Sequence, residues 1–171
     1  MKKITYLLLA FVVLSSCKQE KIGFIDNGKV INAYQEKIDV ESKYEAKNSL
    51  FQKRIDSISK VLQAESQDFQ SKAKTMSQEN AQNLYQQLAA RQQRLSNEIQ
   101  QEQQEMQEAF QTEIDTLISK VKKFVKDYGK QNGYTYIFGT SEASSSVMYG
   151  TPENDLSQEI IDALNSAYEQ K

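Results

Sequence analysis

Residues 84–128 read LYQQLAARQQRLSNEIQQEQQEMQEAFQTEIDTLISKVKKFVKDY, and their spacing decides the fold. Leu84, Leu88, Leu95, Ile99, Met106, Phe110, Leu117, Val121, Phe124 and Tyr128 recur at alternating steps of three and four, with polar residues filling the gaps. Upstream, Tyr44, Phe51, Ile55, Ile58, Leu62, Phe69 and Met76 repeat the pattern. Between Gly28 and Gly129 there is neither glycine nor proline, as long uninterrupted helices require. Heptad spacing makes a narrow stripe that a partner helix must cover, so the pattern predicts coiled-coil packing.

Residues 71–83 are mostly small and polar, with Ser77, Asn80 and Asn83 as cap candidates, which places a chain reversal there. Folding the second helix back on the first pairs Phe69 with Leu84, Ile58 with Leu95, Ile55 with Ile99 and Tyr44 with Phe110. Charge supports that register. Glu98 to Asp115 holds six acids and no base, and the facing stretch carries Lys43, Lys47, Lys53 and Arg54. One such surface pair contributes less than about 1 kcal/mol, but a matched set disfavours slippage. The alternative is a continuous helix that dimerises with another chain.

The ends read differently. Ile22–Asp26 and Tyr134–Phe138 have strand character, and Val147–Tyr149 gives a third short strand after a Gly/Ser-rich turn. Asp155-Leu156-Ser157-Gln158 opens a last helix, with Asp155 as N-cap and Gln158 reaching back as in a capping box. Leu156, Ile160, Leu164 and Tyr168 form its apolar face. The fold class is therefore mostly α with a small β body: residues 22–35 and 129–171 form the body and 36–128 the helical arm. Three short strands leave exposed edges, which pairing between subunits would cover.

Residues 1–16 read as a signal peptide, with Lys2 and Lys3 before the apolar run from Ile4 to Leu14. Leu14-Ser15-Ser16-Cys17 resembles a bacterial lipobox, and Cys17 is the chain's one cysteine. Cleavage before an acylated Cys17 would leave residues 17–21 as anchor and tether, whereas the plainer alternative is an ordinary secretory signal. The location expected is the cell envelope, facing the periplasm and lipid-anchored to a membrane.

Composition narrows the chemistry. There is no histidine, which removes the commonest general base and metal ligand. With Cys17 acylated, Ser–His and Cys–His nucleophiles are both out of reach. Gly23-Phe-Ile-Asp-Asn-Gly28-Lys29-Val30 approaches a phosphate-binding loop but has Val30 where a hydroxyl must hold magnesium, so it reads as a strand–turn–helix junction. A pI near 5.4 provides no basic footprint for nucleic acid. No catalytic residue, metal or cofactor is expected, and the chain is not read as an enzyme. Lys72, Lys74, Arg91 and Arg94 cluster near the reversal, where they would either contact anionic lipid or lipopolysaccharide or simply solvate the tip. Tyr85, Ile114 and Ile118 lie off the seam. They could face a client-binding cavity or broaden the helix–helix contact.

The order of elements resembles the OmpH/Skp family of periplasmic chaperones. Lys21-Ile-Gly-Phe-Ile-Asp26, Lys29-Val30, the hairpin, Gly133-Tyr-Thr-Tyr-Ile-Phe138 and Asp155-Leu-Ser-Gln-Glu-Ile-Ile-Asp-Ala-Leu-Asn165 carry the likeness over residues 21–171. The resemblance implies a homotrimer whose short strands close an intersubunit β-barrel. It also implies helical arms around a cavity that holds unfolded outer-membrane proteins without ATP. The best-known members are soluble and basic, whereas this chain carries net charge −2 and a lipobox. The rival reading is a structural coiled-coil lipoprotein serving as spacer or scaffold.

Overall fold

The computed structural model describes residues 20–170; Cys17, the signal segment and most of the tether lie outside them. Strand β1 (Ile22–Asp26) is followed by α1 (Asn27–Ala33), α2 (Gln35–Ala73), α3 (Gln78–Gln131), β2 (Tyr136–Thr140), a 3-10 turn (Pro152–Asn154) and α4 (Ser157–Glu169). The described chain divides into two compact units, residues 35–119 and residues 20–34 with 120–170.

In the second of these units β1 and β2 pair in parallel, from Ile22 opposite Tyr136 to Asp26 opposite Thr140. A parallel pair cannot be closed by a tight turn and needs a long crossover. Here the whole helical stretch between the strands supplies it. β2 begins two residues later than the sequence suggests, because Gly133 turns the chain at φ 71° and Thr135 donates its N–H to Lys21 O at 2.8 Å before the ladder starts. Positive φ at Gly133 is a conformation that glycine adopts without penalty.

The third strand expected at Val147–Tyr149 does not form in the single chain. Residues 141–146 bond to themselves instead: Ser141 and Ser144 exchange backbone hydrogen bonds at 3.1 Å, and Ser146 N–H donates to Ser144 O at 2.8 Å. The edge of β1 away from β2 is taken further along, where Leu156 N–H donates to Phe24 O at 2.8 Å and Asp26 N–H to Ser157 Oγ at 2.9 Å. Met148 and Tyr149 are left 88% and 85% exposed.

Asp26 ends β1 and caps α1, its Oδ1 accepting from Lys29 N–H at 3.0 Å, so the strand–turn–helix reading of this junction holds. At α4 the N-cap is Leu156, without a side-chain cap bond, and not Asp155 as the sequence suggests; Asp155 Oδ1 accepts from Ser157 N–H at 2.9 Å and from Ser157 Oγ–H at 2.5 Å. The capping box does not close. Gln158 donates forward to Asp162 Oδ1 at 2.9 Å, since Ser157 already satisfies Asp155. One face of α4 (Leu156, Ile160, Ile161, Leu164) is buried together with Ile25, Val30, Tyr34 and Val121. Asn165 Nδ2 bonds Ala33 O at 3.1 Å, and Tyr168 meets Tyr34 edge-on with centroids 6.0 Å apart. Gly23 is dictated by this packing, because a Cβ there would stand 2.5 Å from Leu156 Cδ1.

Ile160 has no exposed surface, so Ile160→Ala should destabilise the body by about 2–5 kcal/mol, as buried large-to-small changes do. Urea unfolding followed by tyrosine fluorescence measures it. A loss under about 1 kcal/mol would contradict the packing described.

Candidate functional site: the open seam of the helical hairpin

Within residues 35–119, α2 and α3 form the antiparallel hairpin that the sequence predicts. Thr75 N–H donates to Lys72 O at 3.0 Å to turn the chain, and Ser77 Oγ accepts from Asn80 N–H at 3.4 Å to start α3. Ser77 is thus the cap; Asn80 and Asn83 lie inside the helix. The apolar register is also as expected. Tyr44 packs edge-on against Phe110 with centroids 5.1 Å apart, and Phe69 lies 6.1 Å from Tyr85, one residue beyond the expected Leu84.

The best-defined cluster is at Tyr44. Lys43 Nζ donates to both oxygens of Glu113, at 2.6 and 2.7 Å, and Tyr44 O–H donates to Glu113 Oε1 at 2.9 Å. The ammonium groups of Lys43 and Lys47 stand 5.1 and 4.8 Å from the Tyr44 ring centroid. Hydrogen bonds from Lys43 and then Tyr44 hold the Glu113 carboxyl below its ordinary value, while the same Glu113 contact raises Lys43. Burial, and then the bond to Glu113, push the Tyr44 phenol up. Two further ion pairs cross the seam, Arg54 with Glu102 and Arg91 with Glu65.

Two helices cannot close a seam from every side. Tyr44, Phe51 and Leu117 are buried, but Ile55, Ile58, Leu62, Phe69, Leu84, Leu88, Leu95, Ile99, Met106 and Phe110 remain half-buried. Grooves run beside them. One of about 460 Å³ is lined by Ile55, Ile58, Leu62, Phe69, Tyr85 and Leu88. Two more share Tyr44 and Met106, one of about 500 Å³ reaching Leu50 and Phe51 and one of about 560 Å³ reaching Gln107 and Phe110. Such shallow apolar grooves suit many weak contacts with single side chains, and no polar constellation in them fixes one small ligand.

The residues singled out from sequence separate into groups. Tyr85 is 61% exposed at the rim of a groove, and Ile114 and Ile118 are half-buried. Of the tip bases, Lys72 pairs with Asp68 along its own helix at 2.7 Å and Arg91 crosses to Glu65, while Lys74 and Arg94 are exposed. The four therefore do not form one cationic patch. Cys17 lies outside the described residues. Sequence reading missed Ile38, Leu50 and Val61, apolar yet exposed on α2, because they fall outside the three-and-four spacing. It also missed that Ile22, Tyr136 and Phe138 share an exposed sheet face, where Tyr136 and Phe138 stack at 5.8 Å.

Glu113 makes the hairpin pH-sensitive in a definite direction. A carboxyl whose folded pKa is depressed contributes stability above its unfolded value of about 4.5, and that stability is lost as pH falls through the folded value. Melting followed by circular dichroism should therefore show Glu113→Gln lowering the Tm at pH 7 and shrinking the Tm difference between pH 7 and pH 3. An unchanged difference would contradict the clasp.

No curated protein matches the sequence. Among solved structures, one from Caulobacter crescentus CB15, assigned as an outer membrane chaperone (OmpH-like), superposes with TM-score 0.77 at 12% identity. The match covers 87% of this chain and 86% of that one, and at this identity it shows the shared fold. No described helix is long and apolar enough to cross a membrane. The family model described as outer membrane protein (OmpH-like) matches residues 21–164, nearly the whole described chain, and the protein therefore belongs to the OmpH-like family.

Proposed function

We propose that the protein is an ATP-independent holdase for unfolded outer-membrane proteins. It acts as a homotrimer whose strands β1, β2 and residues 146–149 pair across subunits in a small barrel. The arms of the three subunits bound the cavity that holds the client, and lipid on Cys17 tethers the assembly to a membrane. Residues 22–35 and 129–171 serve as the body and 36–128 as the arm. Tyr85, Ile114 and Ile118 contact client, and Lys74 and Arg94 stay solvated at the tip.

The observation that carries this reading is the seam left open along the arm of an OmpH-like chain. A holdase needs many weak apolar contacts, because tight binding would prevent release. Half-buried Ile55, Leu62, Leu88 and Met106, flanked by exposed Leu50, Val61 and Tyr85, provide contacts of that kind. The fold shared with the Caulobacter crescentus structure assigned as an OmpH-like chaperone supports it. The exposed Ile22, Tyr136, Phe138, Met148 and Tyr149 favour the trimer, since a monomer would leave them all in water. With net charge −2, client capture depends on apolar contact and not on positive charge.

Light scattering of an unfolded β-barrel protein, diluted with and without the chain from Lys18 onward, tests the function. Suppression of aggregation at near-stoichiometric trimer is expected, and it should persist at 1 M salt, where screening acts within roughly 3 Å. Indifference at excess would favour the spacer or scaffold. Sedimentation of the same chain should give a trimer; a folded monomer at micromolar concentration would remove the barrel. Cys17→Ser should leave the precursor unacylated and uncleaved at this site, and normal processing would dismiss the tether.

A further inference from the structure

On α3 and in the ion pairs the seam repeats every eleven residues, while α2 also keeps the heptad step, at Tyr44, Phe51, Ile58 and Glu65 and at Ile55, Leu62 and Phe69. On α3 the half-buried or buried positions run Leu95-Ile99-Glu102, then Met106-Phe110-Glu113, each set displaced by eleven from the last. On α2, Phe51, Leu62 and Ala73 keep the same step. The ion pairs obey it on both helices at once. Lys43, Arg54 and Glu65 are eleven apart on α2, and their partners Glu113, Glu102 and Arg91 are eleven apart on α3. Eleven residues in three turns need 3.67 residues per turn, closer to the relaxed helix than the 3.5 of a heptad. Each module is about 16 Å long and carries its own ion pair.

An array of like modules invites slippage by one module, and the third ion pair guards against it. Its polarity is reversed: the acid, Glu65, is on α2 and the base, Arg91, on α3. Slippage by eleven would set Arg54 against Arg91, a like-charge contact that disfavours the wrong register. The apolar slot corresponding to Tyr44 and Ile55 is occupied in this module by Ser66, which is exposed.

We infer that the arm is a stack of separable eleven-residue modules, so that module number sets its length. Resting on the holdase reading, that length sets the largest client shielded. The substrate class is thereby defined by size and not by sequence. Register is preserved if equal modules leave both helices, because Arg54 keeps Glu102, Tyr44 keeps Phe110 and Phe69 keeps Tyr85.

The test deletes residues 55–65 together with 90–100 from the full chain. The control deletes 55–63 with 92–100, nine residues from each helix, which turns the distal stripe by about 180° at 100° per residue. The eleven-residue deletion should melt cooperatively with helical content reduced only in proportion to length, and small-angle scattering should show an arm shorter by about 16 Å. The nine-residue deletion should lose cooperativity. Equal behaviour of the two overturns the modular arm. In aggregation assays the shortened chain should protect a small barrel client as well as wild type does, and protect a large one several-fold less. Equal protection of both overturns the size-setting role. Failure of the wild-type chain to protect either client overturns the holdase reading and the size role with it, while melting and scattering still decide the modules.

Discussion

A helix of 39 residues whose composition is mostly polar has little reason to persist alone. What holds α2 is the apolar stripe it shares with α3, and everything in residues 35–119 follows from that seam. The stripe is narrow, so a single partner covers it only in part. Where aromatic residues meet, at Tyr44 and Phe110, the contact is reinforced by Lys43 and by Glu113, which accepts the Tyr44 hydroxyl. Further out Ile, Leu and Met lead to the Phe69–Tyr85 contact, a groove runs beside them, and burial is incomplete. Incomplete burial is a defect in a structural rod, but it is what a surface for transient apolar contact requires.

The body answers a different constraint. Two parallel strands of five residues each form too small a sheet to be stable unaided. α4 supplies what they lack by burying Leu156, Ile160 and Leu164 and by binding the free edge of β1 through Leu156 and Ser157. Asp155 organises this contact. Although burial opposes its charge, the hydroxyl and N–H of Ser157 keep its pKa below the ordinary range. The opposite face, with Tyr136 stacked on Phe138, keeps apolar surface in water.

Much of this was legible beforehand because long-range pairing left two independent marks. The hairpin register could be read from the apolar stripe and again from the opposition of Glu98–Asp115 to the bases of α2. The eleven-residue spacing of the ion pairs was not, since steps of three and four look alike in heptads and in elevens and the stripe of α2 fits both. Residues 146–149 have the apolar composition of a short strand, but composition says nothing about whether an edge is free, and the nearby serines bond to one another first. Gln158 fits a capping box by spacing alone, yet Ser157 reaches Asp155 before it. Exposed apolar side chains such as Leu50 carry no periodic signal, so only the folded hairpin reveals them.

The account stands on α2 and α3 of one chain packing with Arg54 opposite Glu102. In a Cys17→Ser background, Arg54→Cys with Glu102→Cys can be treated with a bifunctional thiol reagent spanning about 8–10 Å, the separation of packed helix axes. The two side chains are 50% and 44% exposed, so no buried apolar residue of the seam is replaced. A crosslink within one chain, with faster migration and no dimer band, is the predicted result. The pair Arg54→Cys with Arg91→Cys, displaced by about 16 Å along α3, should stay unlinked. Dimer bands from the first pair, or efficient linkage of the second, would contradict the hairpin register.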